Sequence, residues 1–194
     1  MPEPVLVLAS SSARRARILE SLGIPFRVVV PSVDESIPEG EDPAGAAERI
    51  ACAKAAAVGA PEALPILAAD TLVVCQGRIL GKPSSPEDAA GMLRLLSGRS
   101  HEVVTGVCLV KDGVARSAVE RTAVTFAPMT DAEIAWYVAT GEPLDKAGAY
   151  HVDGVGALFV TAVSGSPSNV EGLPVRLVLE LVRQAGVDLG PGSS

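Results

Sequence analysis

Several short polar segments lie between apolar runs of the sequence. The first of these segments has a pattern that is typical of an anion-binding site. Residues 10–15 read Ser-Ser-Ser-Ala-Arg-Arg and follow an apolar run at 5–9. A strand that turns through serines into a helix directs unpaired backbone N–H groups and the positive end of the helix dipole at one point. Forked guanidinium donors in the first turn add further phosphate contacts. Ser10, Arg14 and Arg15 are therefore candidate phosphate ligands, although an ordinary capped helix with solvated arginines has the same pattern.

A single carboxylate stands in the most apolar part of the chain. Asp70 follows Ile-Leu-Ala-Ala at 66–69 and precedes Thr71. Burying an ionised carboxylate is unfavourable unless it is paired or bound to a metal. Mg²⁺ prefers carboxylates together with substrate phosphates, and a carboxylate can also accept a proton from water. Asp70 is thus a candidate general base or metal ligand, and the alternative is an aspartate that caps a turn.

Two further segments could contact a ligand. Lys82 lies between Gly81 and Pro83 just before a helix start, so its backbone is more rigid than that of a typical surface lysine. Residues 141–150 read Gly-Glu-Pro-Leu-Asp-Lys-Ala-Gly-Ala-Tyr, a polar loop that suits ligand contact or plain connection. The Gly-x-Gly at 154–156 lacks the third glycine and the helix of a dinucleotide fingerprint.

Length and charge narrow the class of protein. The chain has 194 residues, 16 basic and 23 acidic side chains, a formal net charge of −7 and 48% hydrophobic residues. These values favour one folded domain with a sizeable core. An acidic chain without a basic run is a poor general binder of nucleic acid. No apolar stretch approaches the roughly 20 residues of a membrane span, and the start lacks a signal-peptide pattern. We therefore expect neither nucleic-acid nor membrane partners.

Cysteine and histidine usage excludes some metal sites. Cys52, Cys75 and Cys108 are odd in number, far apart and in apolar surroundings, which predicts reduced thiols in a cytoplasmic protein. His101 and His151 are the two histidines of the sequence, so a multi-histidine metal site is excluded. We expect His101 to form a structural hydrogen bond at the start of a strand.

Hydrophobic periodicity predicts the elements that must position these residues. Strands are expected at 5–9, 26–30, 65–69, 71–75, 78–80, 102–110, 114–126 and 157–163. Helices are expected at 13–23, 43–58, 86–96 and 130–140 and within 168–184, with a glycine-rich loop at 141–156. Strands and helices mix without strict βαβ regularity, so we predict an α/β fold with a mixed sheet rather than a doubly wound one.

The order of short motifs along the chain is the most specific feature of the sequence. They are Leu8-Ala9-Ser10-x-Ser12-x-Arg14-Arg15, Asp34-Glu35, Ala51-x-x-Lys54-Ala55, Ala69-Asp70-Thr71, Gly81-Lys82-Pro83, Leu96-Ser97-Gly98-x-x-His101, Gly141-Glu142-Pro143-x-Asp145-Lys146-Ala147-Gly148-Ala149-Tyr150 and Gly172-Leu173-Pro174. Together they resemble the Maf family of nucleoside triphosphate pyrophosphatases over nearly the whole chain.

The resemblance implies a fold and an activity. The fold would be a single domain over residues 1–186, of the inosine-triphosphate pyrophosphatase type, with a central cleft between two lobes and a tail at 187–194. The protein would be a homodimer that hydrolyses a nucleoside triphosphate to the monophosphate and pyrophosphate, with non-standard or modified nucleotides among the candidate substrates. A divalent cation, Mg²⁺ or Mn²⁺, would assist.

The resemblance also implies roles for individual residues. Asp70 would be the catalytic proton acceptor for water, and Glu35 and Asp70 would hold the cation. Residues that bind the substrate and its phosphates would be Ser10, Arg14, Arg15, Lys54, Lys82 and Lys146. Arg14, Thr71 and Asp153 would select the base.

One departure from the family pattern bears on that selection. Residues 151–154 read His-Val-Asp-Gly, where members that prefer thymidine and uridine triphosphates read Gly-Ile-Gln-Gly. Asp153 replaces an amide that donates and accepts by a carboxylate that only accepts. Arg14 and Thr71 fit the thymidine and uridine branch, whereas Asp153 does not. Asp153 would either accept hydrogen bonds from a base edge rich in N–H donors, such as that of guanine or a methylated guanine, or contact solvent.

Two other functions stay open from the sequence. One is a nucleotide-binding regulator of cell division, linked to septum formation, in which hydrolysis is incidental. The other is a hydrolase that acts on different phosphate esters with the same pocket.

Overall fold

Strands and helices alternate irregularly along the chain, as the apolar runs predict. The coordinates are those of a computed structural model and describe residues 3–59 and 63–189. The strands are β1 (Leu6–Ala9), β2 (Phe26–Val29), β3 (Ile66–Cys75), β4 (Arg78–Leu80), β5 (Ser100–Lys111), β6 (Val114–Phe126) and β7 (Val160–Ser164). The α-helices are α1 (Ala13–Ser21), α2 (Pro43–Val58), α3 (Pro86–Leu96), α4 (Asp131–Ala139), α5 (Pro167–Val170) and α6 (Val175–Gln184).

The strands form a mixed sheet, which confirms the predicted α/β class. Over the two described ranges the sheet has seven strands in the order β2-β1-β3-β5-β6-β7, and β4 pairs with β3. Strand β1 runs parallel to β2 and to β3. The β3–β4 and β6–β7 pairs are antiparallel, and the former is the hairpin expected around Gln76 and Gly77. None of the described helices is long and apolar enough to cross a membrane.

Two predicted boundaries are wrong, and each has a physical reason. Asp70 was expected to separate two strands, but β3 runs through it without a break and pairs with β1 at one end and β4 at the other. The strand expected at 157–163 begins only at Val160, because Val155–Phe159 forms a 3₁₀ segment. The N–H groups of Val155 and Gly156 bond to a carboxylate of Glu142 instead of a neighbouring strand.

The chain divides into two compact units, which we describe separately. The first unit comprises the residues up to Asp70, residues Thr105–Glu120 and those from Gly172 onward. The second comprises Thr71–Val104 and Arg121–Glu171. In the first unit Val187, at the start of the predicted tail, is buried and donates its N–H to Val182. Residues 190–194 of that tail lie outside the described residues.

Helix α2 lies close to the sheet of the first unit because the facing residues are small. Asp42 caps its N-terminus by accepting from the Gly45 N–H at 3.0 Å, and Pro43 occupies the first turn. Its buried face is rich in alanine. At Gly106 of β5 a Cβ atom would lie 2.4 Å from the Ala47 carbonyl oxygen. The backbones therefore approach closely, which fixes the depth at which α2 presents its side chains.

The second unit has its own core and a set of tight turns. Its buried side chains come from α3, α4, β5 and β6 and include Phe126, Tyr137 and Tyr150. The expected glycine-rich loop contains 3₁₀ turns at Glu142–Asp145 and Ala147–Ala149. Helix α4 begins with a reciprocal capping box between Thr130 and Glu133. The loop that carries Lys146 and Asp153 therefore has regular turns of its own.

Candidate active site

A buried lysine joins two carboxylates in the first unit. The ammonium nitrogen of Lys54 lies 2.7 Å from Asp70 Oδ1 and 2.9 Å from Glu35 Oε1. The Lys54 and Asp70 side chains are each 9% exposed, whereas that of Glu35 is 57% exposed. Lys54 projects from α2, Asp70 from the middle of β3, and Glu35 from the loop after β2. Three segments that are distant in sequence thus bring the predicted residues together.

The environment of Asp70 makes it a stronger base than an exposed aspartate. Burial raises the pKa of the carboxyl group, and this effect exceeds the lowering by Lys54 and Arg15. The ion pair with Lys54 still favours the charged form of Asp70. The carboxylate is therefore buried and paired with an ammonium group at the same time. Such a carboxylate suits the acceptance of a proton from water.

Arg15 is tied to the protein more tightly than the sequence suggests. Its side chain is buried, and Nε donates to the Gly172 carbonyl at 2.7 Å. Nη1 donates to Ser10 Oγ at 3.2 Å, and the Ser12 N–H donates to the same oxygen at 3.1 Å. Burial lowers the pKa of Arg15, while Asp70 opposes that effect. Arg15 therefore fixes Ser10 and the loop at 172, and the half-buried Arg14 lies beside it in the first turn of α1.

Arg49 holds the loop that carries Glu35, a role that the sequence analysis missed. Its Nε and Nη2 atoms donate to the two oxygens of Glu41, each at 2.8 Å. Nη2 also donates to the Ser36 carbonyl at 3.1 Å. Because Arg49 and Lys54 lie on the same helix, α2 both pairs with Glu35 and anchors its loop. The available signal was an arginine in the helix that follows an acidic loop.

The carboxylates fit a divalent cation that is shared with a phosphate. Within residues 3–59 and 63–189, no group of three or more His, Cys, Asp and Glu side chains could hold a metal by itself. Glu35 and Asp70 do both pair with one cationic nitrogen, that of Lys54. Two carboxylates with substrate phosphates and water are the donors that Mg²⁺ prefers. The donor set therefore fits a cation bound jointly with a polyphosphate.

In the second unit, two lysine-bearing loops are joined. The Gly148 N–H donates to the Gly81 carbonyl at 3.1 Å, next to the exposed Lys82. Lys146 is half-buried, and its ammonium group contacts Asp145. A Cβ atom on Gly148 would lie 2.9 Å from Val73 Cγ1, and the φ of 71° there also favours glycine. The glycines of this loop thus hold the two lysine segments against each other.

The remaining predicted residues also lie in the second unit. Thr71 is half-buried on β3, directly after Asp70. Because side chains alternate along a strand, the two point to opposite faces. Asp153 is exposed on the turn before the 3₁₀ segment Val155–Phe159. The structure therefore groups Ser10, Arg15, Glu35, Lys54 and Asp70 in the first unit, and places Thr71, Lys82, Lys146 and Asp153 in the second.

Comparisons with known proteins show the family to which this chain is similar. A family model described as Maf-like protein matches residues 5–185. A dTTP/UTP pyrophosphatase of Anaeromyxobacter sp. (strain Fw109-5) is 53% identical over 186 residues, which cover 93% of this chain and 89% of that protein. A dTTP/UTP pyrophosphatase of Moorella thermoacetica is 52% identical over 191 residues, which cover 95% and 96%.

A solved structure shares the fold at low sequence identity. The Ham1 protein of Staphylococcus aureus matches with a TM-score of 0.50 and 15% identity. The match covers 92% of this chain and 98% of that one. It supports the predicted fold type.

Proposed function

This chain belongs to the Maf family, and we propose that it hydrolyses a nucleoside triphosphate to the monophosphate and pyrophosphate. The observation that carries the proposal is the buried Lys54–Asp70 pair with Glu35 beside it. A base and a cationic group next to each other suit the attack of water on a phosphoanhydride. The relatives named dTTP/UTP pyrophosphatase support the same reaction class.

In the proposed reaction, Asp70 accepts the proton of the attacking water. The water oxygen bonds to the α-phosphorus, the bond from that phosphorus to the bridging oxygen breaks, and pyrophosphate leaves. Burial raises the pKa of Asp70 and so strengthens it as a base, while the ammonium group of Lys54 opposes that effect and favours the ionised carboxylate. A positioned general base contributes about 10²–10⁴-fold to a rate.

We propose that the phosphates are bound by cationic and backbone donors. Lys54, Arg14 and the N-terminus of α1, which begins after Ser10, supply these donors in the first unit. The motif resemblance adds Lys82 and Lys146 as phosphate contacts. Arg15 acts mainly by fixing Ser10, because two of its donor groups are engaged within the protein.

Glu35 and Asp70 are the residues that would hold a divalent cation, Mg²⁺ or Mn²⁺. When bound, the cation would supply positive charge that neutralises and polarises the triphosphate. The Arg49 clamp on the Glu35 loop would then keep that carboxylate in place.

For the base, we propose thymine and uracil. The relatives are named for dTTP and UTP. Asp153 is a carboxylate and accepts hydrogen bonds, and both of these bases carry an N3–H donor. Cytosine has an acceptor at N3, which a carboxylate would repel. Guanine, which also has N–H donors on its edge, is the alternative that a substrate panel separates.

A panel of nucleoside triphosphates tests the reaction and the base together. We would incubate the purified protein with dTTP, UTP, CTP, GTP and ATP and either Mg²⁺ or Mn²⁺, and identify the products by chromatography. The account predicts monophosphate and pyrophosphate in equal amounts, fastest from dTTP and UTP. Release of inorganic phosphate with a diphosphate would contradict it, and so would the absence of any product.

A further inference from the structure

A phenol and a carboxylate lie together beneath the turn at 151–156. Tyr137 on α4 is fully buried, and its hydroxyl donates to Glu142 Oε1 at 2.6 Å. Glu142 also accepts the N–H of Val155 on Oε2 at 2.9 Å and that of Gly156 on Oε1 at 3.0 Å. One carboxylate therefore satisfies three donors, two of which belong to the backbone that follows the turn.

The same phenol holds the other end of the turn. The His151 N–H donates to the Tyr137 hydroxyl oxygen at 3.1 Å. Residues 151, 155 and 156 are thus fixed by a single Tyr137–Glu142 pair. A segment held at both ends by hydrogen bonds to a buried phenol and its carboxylate partner has little freedom to change its path.

The turn needs glycines because its backbone lies very close to the Tyr137 and Glu142 side chains. A Cβ atom on Gly154 would lie 2.3 Å from Glu142 Oε2. One on Gly156 would lie 2.6 Å from the Tyr137 hydroxyl oxygen and from the His151 carbonyl oxygen. The Gly-x-Gly at 154–156, which the sequence leaves without a function, allows the backbone to lie directly on the two side chains.

The protonation states of the pair suit a permanent anchor. Burial, followed by the hydrogen bond to Glu142, raises the pKa of Tyr137. Burial alone would raise the pKa of Glu142, but the bonds from Tyr137, Val155 and Gly156 together lower it. The phenol is therefore neutral and the carboxylate ionised near neutral pH, which makes the three bonds charge-assisted and strong.

The residue that this anchor presents is Asp153, which is exposed within the turn. We propose that Tyr137 and Glu142 are positioning residues that fix Asp153 for nucleobase discrimination, an inference that rests on the proposed function. Rejection of a base by an unpaired or repelled polar group needs a carboxylate that cannot move aside. An acidic side chain on a mobile loop would turn toward solvent and lose most of that selectivity.

The test compares two matched tyrosine variants on UTP and CTP, whose bases differ at N3 and in the substituent at C4. Tyr137→Phe removes the hydroxyl that holds Glu142 and His151. Tyr150→Phe is the control, because it removes another buried hydroxyl, which contacts His101 Nε2 at 2.9 Å. We expect Tyr137→Phe to lower the UTP to CTP ratio of kcat/KM about tenfold, mainly through a higher KM for UTP, while kcat stays within about twofold. Tyr150→Phe leaves the ratio unchanged.

A double-mutant cycle separates positioning from general loosening of the fold. If Tyr137 acts through Asp153, Asp153→Ala lowers the ratio by itself, and adding Tyr137→Phe to it lowers the ratio no further. Glu142→Gln provides the second variant if Tyr137→Phe does not fold, and it should shift the ratio in the same direction because an amide N–H₂ would face backbone donors.

The outcomes separate this inference from the proposed function. A wild-type protein that hydrolyses no nucleoside triphosphate overturns the function itself. A wild type that hydrolyses UTP while the ratio is unchanged in Tyr137→Phe, Glu142→Gln or Asp153→Ala overturns only the positioning role. Fully additive effects of Tyr137→Phe and Asp153→Ala would also overturn it.

Discussion

At the residue scale, the ammonium group of Lys54 forms ion pairs with two carboxylates, Glu35 and Asp70. Because Asp70 is also the proposed base, Lys54 affects the protonation of that base. Its 2.7 Å contact with Asp70 opposes the effect of burial on that group. An opposite charge at such a distance typically lowers a carboxyl pKa by about 1–3 units. Removing the ammonium group should therefore change the pH at which Asp70 becomes ionised, apart from any effect on phosphate binding.

Replacing Lys54 tests that coupling. In Lys54→Met the pKa of Asp70 rises further, because burial remains and the attractive charge is lost. Activity that needs ionised Asp70 falls on the acidic side of the pH profile, so that limb of kcat/KM should move to higher pH. Lys111→Met is the matched control, since Lys111 donates to the Gly186 carbonyl. A lower rate with an unshifted acidic limb would contradict the coupling.

At the scale of elements, α2 carries Lys54 and Arg49, and its depth depends on Gly106. A Cβ atom at this position would lie 2.4 Å from backbone atoms of Ala47 and Glu48, which cannot move aside as a flexible side chain could. A side chain at this position would therefore either strain the backbone or shift the whole of α2.

We predict that Gly106→Ala destabilises the protein and lowers its activity. Overpacking of this kind costs about 1–3 kcal/mol, and a displaced α2 would move Lys54 away from Asp70. Gly91→Ala is the matched control on α3, where a Cβ atom would meet nothing within 4 Å. That change should stabilise the protein by about 0.5–1 kcal/mol, because alanine favours a helix. Urea unfolding measures both; equal effects of the two changes would contradict the packing argument.

The elements also show what the sequence can and cannot predict. The bounds of α2 and α3 were correct, because a capping residue, a proline and an apolar face all agree there. Asp70 was correctly singled out as a buried carboxylate in apolar surroundings. Its place within an unbroken strand was not foreseen, because the carboxylate is stabilised there by Lys54, which lies on a separate element, helix α2.

The missed features share one cause, since each depends on side-chain contacts between separate elements or loops, which the hydrophobic pattern does not record. The 3₁₀ segment Val155–Phe159 forms where a strand was expected, because Glu142 captures its N–H groups. The sequence signal for Arg49, an arginine in the helix after an acidic loop, was weak because its partners lie on a loop without periodicity. Glu142 was noted only as a member of the motif at 141–150. Its role in holding the turn at 151–156 is indicated by the hydrogen bonds of the structure.

At the scale of the whole molecule, a buried histidine makes stability depend on pH. His101 is 3% exposed, its Nε2 contacts the Tyr150 hydroxyl, and its ring lies edge-on to Phe126. Its Nδ1 has no hydrogen-bond partner among residues 3–59 and 63–189. Burial lowers the pKa of His101 from 6.5 to about 4. The contact with Tyr150 confirms the expected structural hydrogen bond of His101 at the start of β5.

The sign of the pH effect follows from that pKa. Between pH 6.5 and about 4 the unfolded chain binds the proton more tightly, so stability is complete above pH 6.5 and is lost as the pH falls. The loss from this group amounts to about 3 kcal/mol. His101→Phe, which keeps the ring contacts, should make the free energy of unfolding less dependent on pH over this range. Chemical denaturation at pH 7 and pH 4.5 checks this, and an unchanged difference would contradict it.

The homodimer implied by the family resemblance stays a prediction at this scale. Sedimentation equilibrium of the purified protein measures it directly. A dimeric mass is the expected result, and a monomeric mass over the working concentration range would contradict it.

The central claim is that Asp70 accepts a proton during hydrolysis of a nucleoside triphosphate. The most direct test measures turnover and nucleotide binding in Asp70→Asn, with Asp112→Asn as a matched change on the exposed turn after β5. We expect kcat to fall about 10²–10⁴-fold in Asp70→Asn while the affinity for the triphosphate changes little, and we expect Asp112→Asn to behave as the wild type. An Asp70→Asn protein that binds and hydrolyses its substrate as fast as the wild type would contradict it.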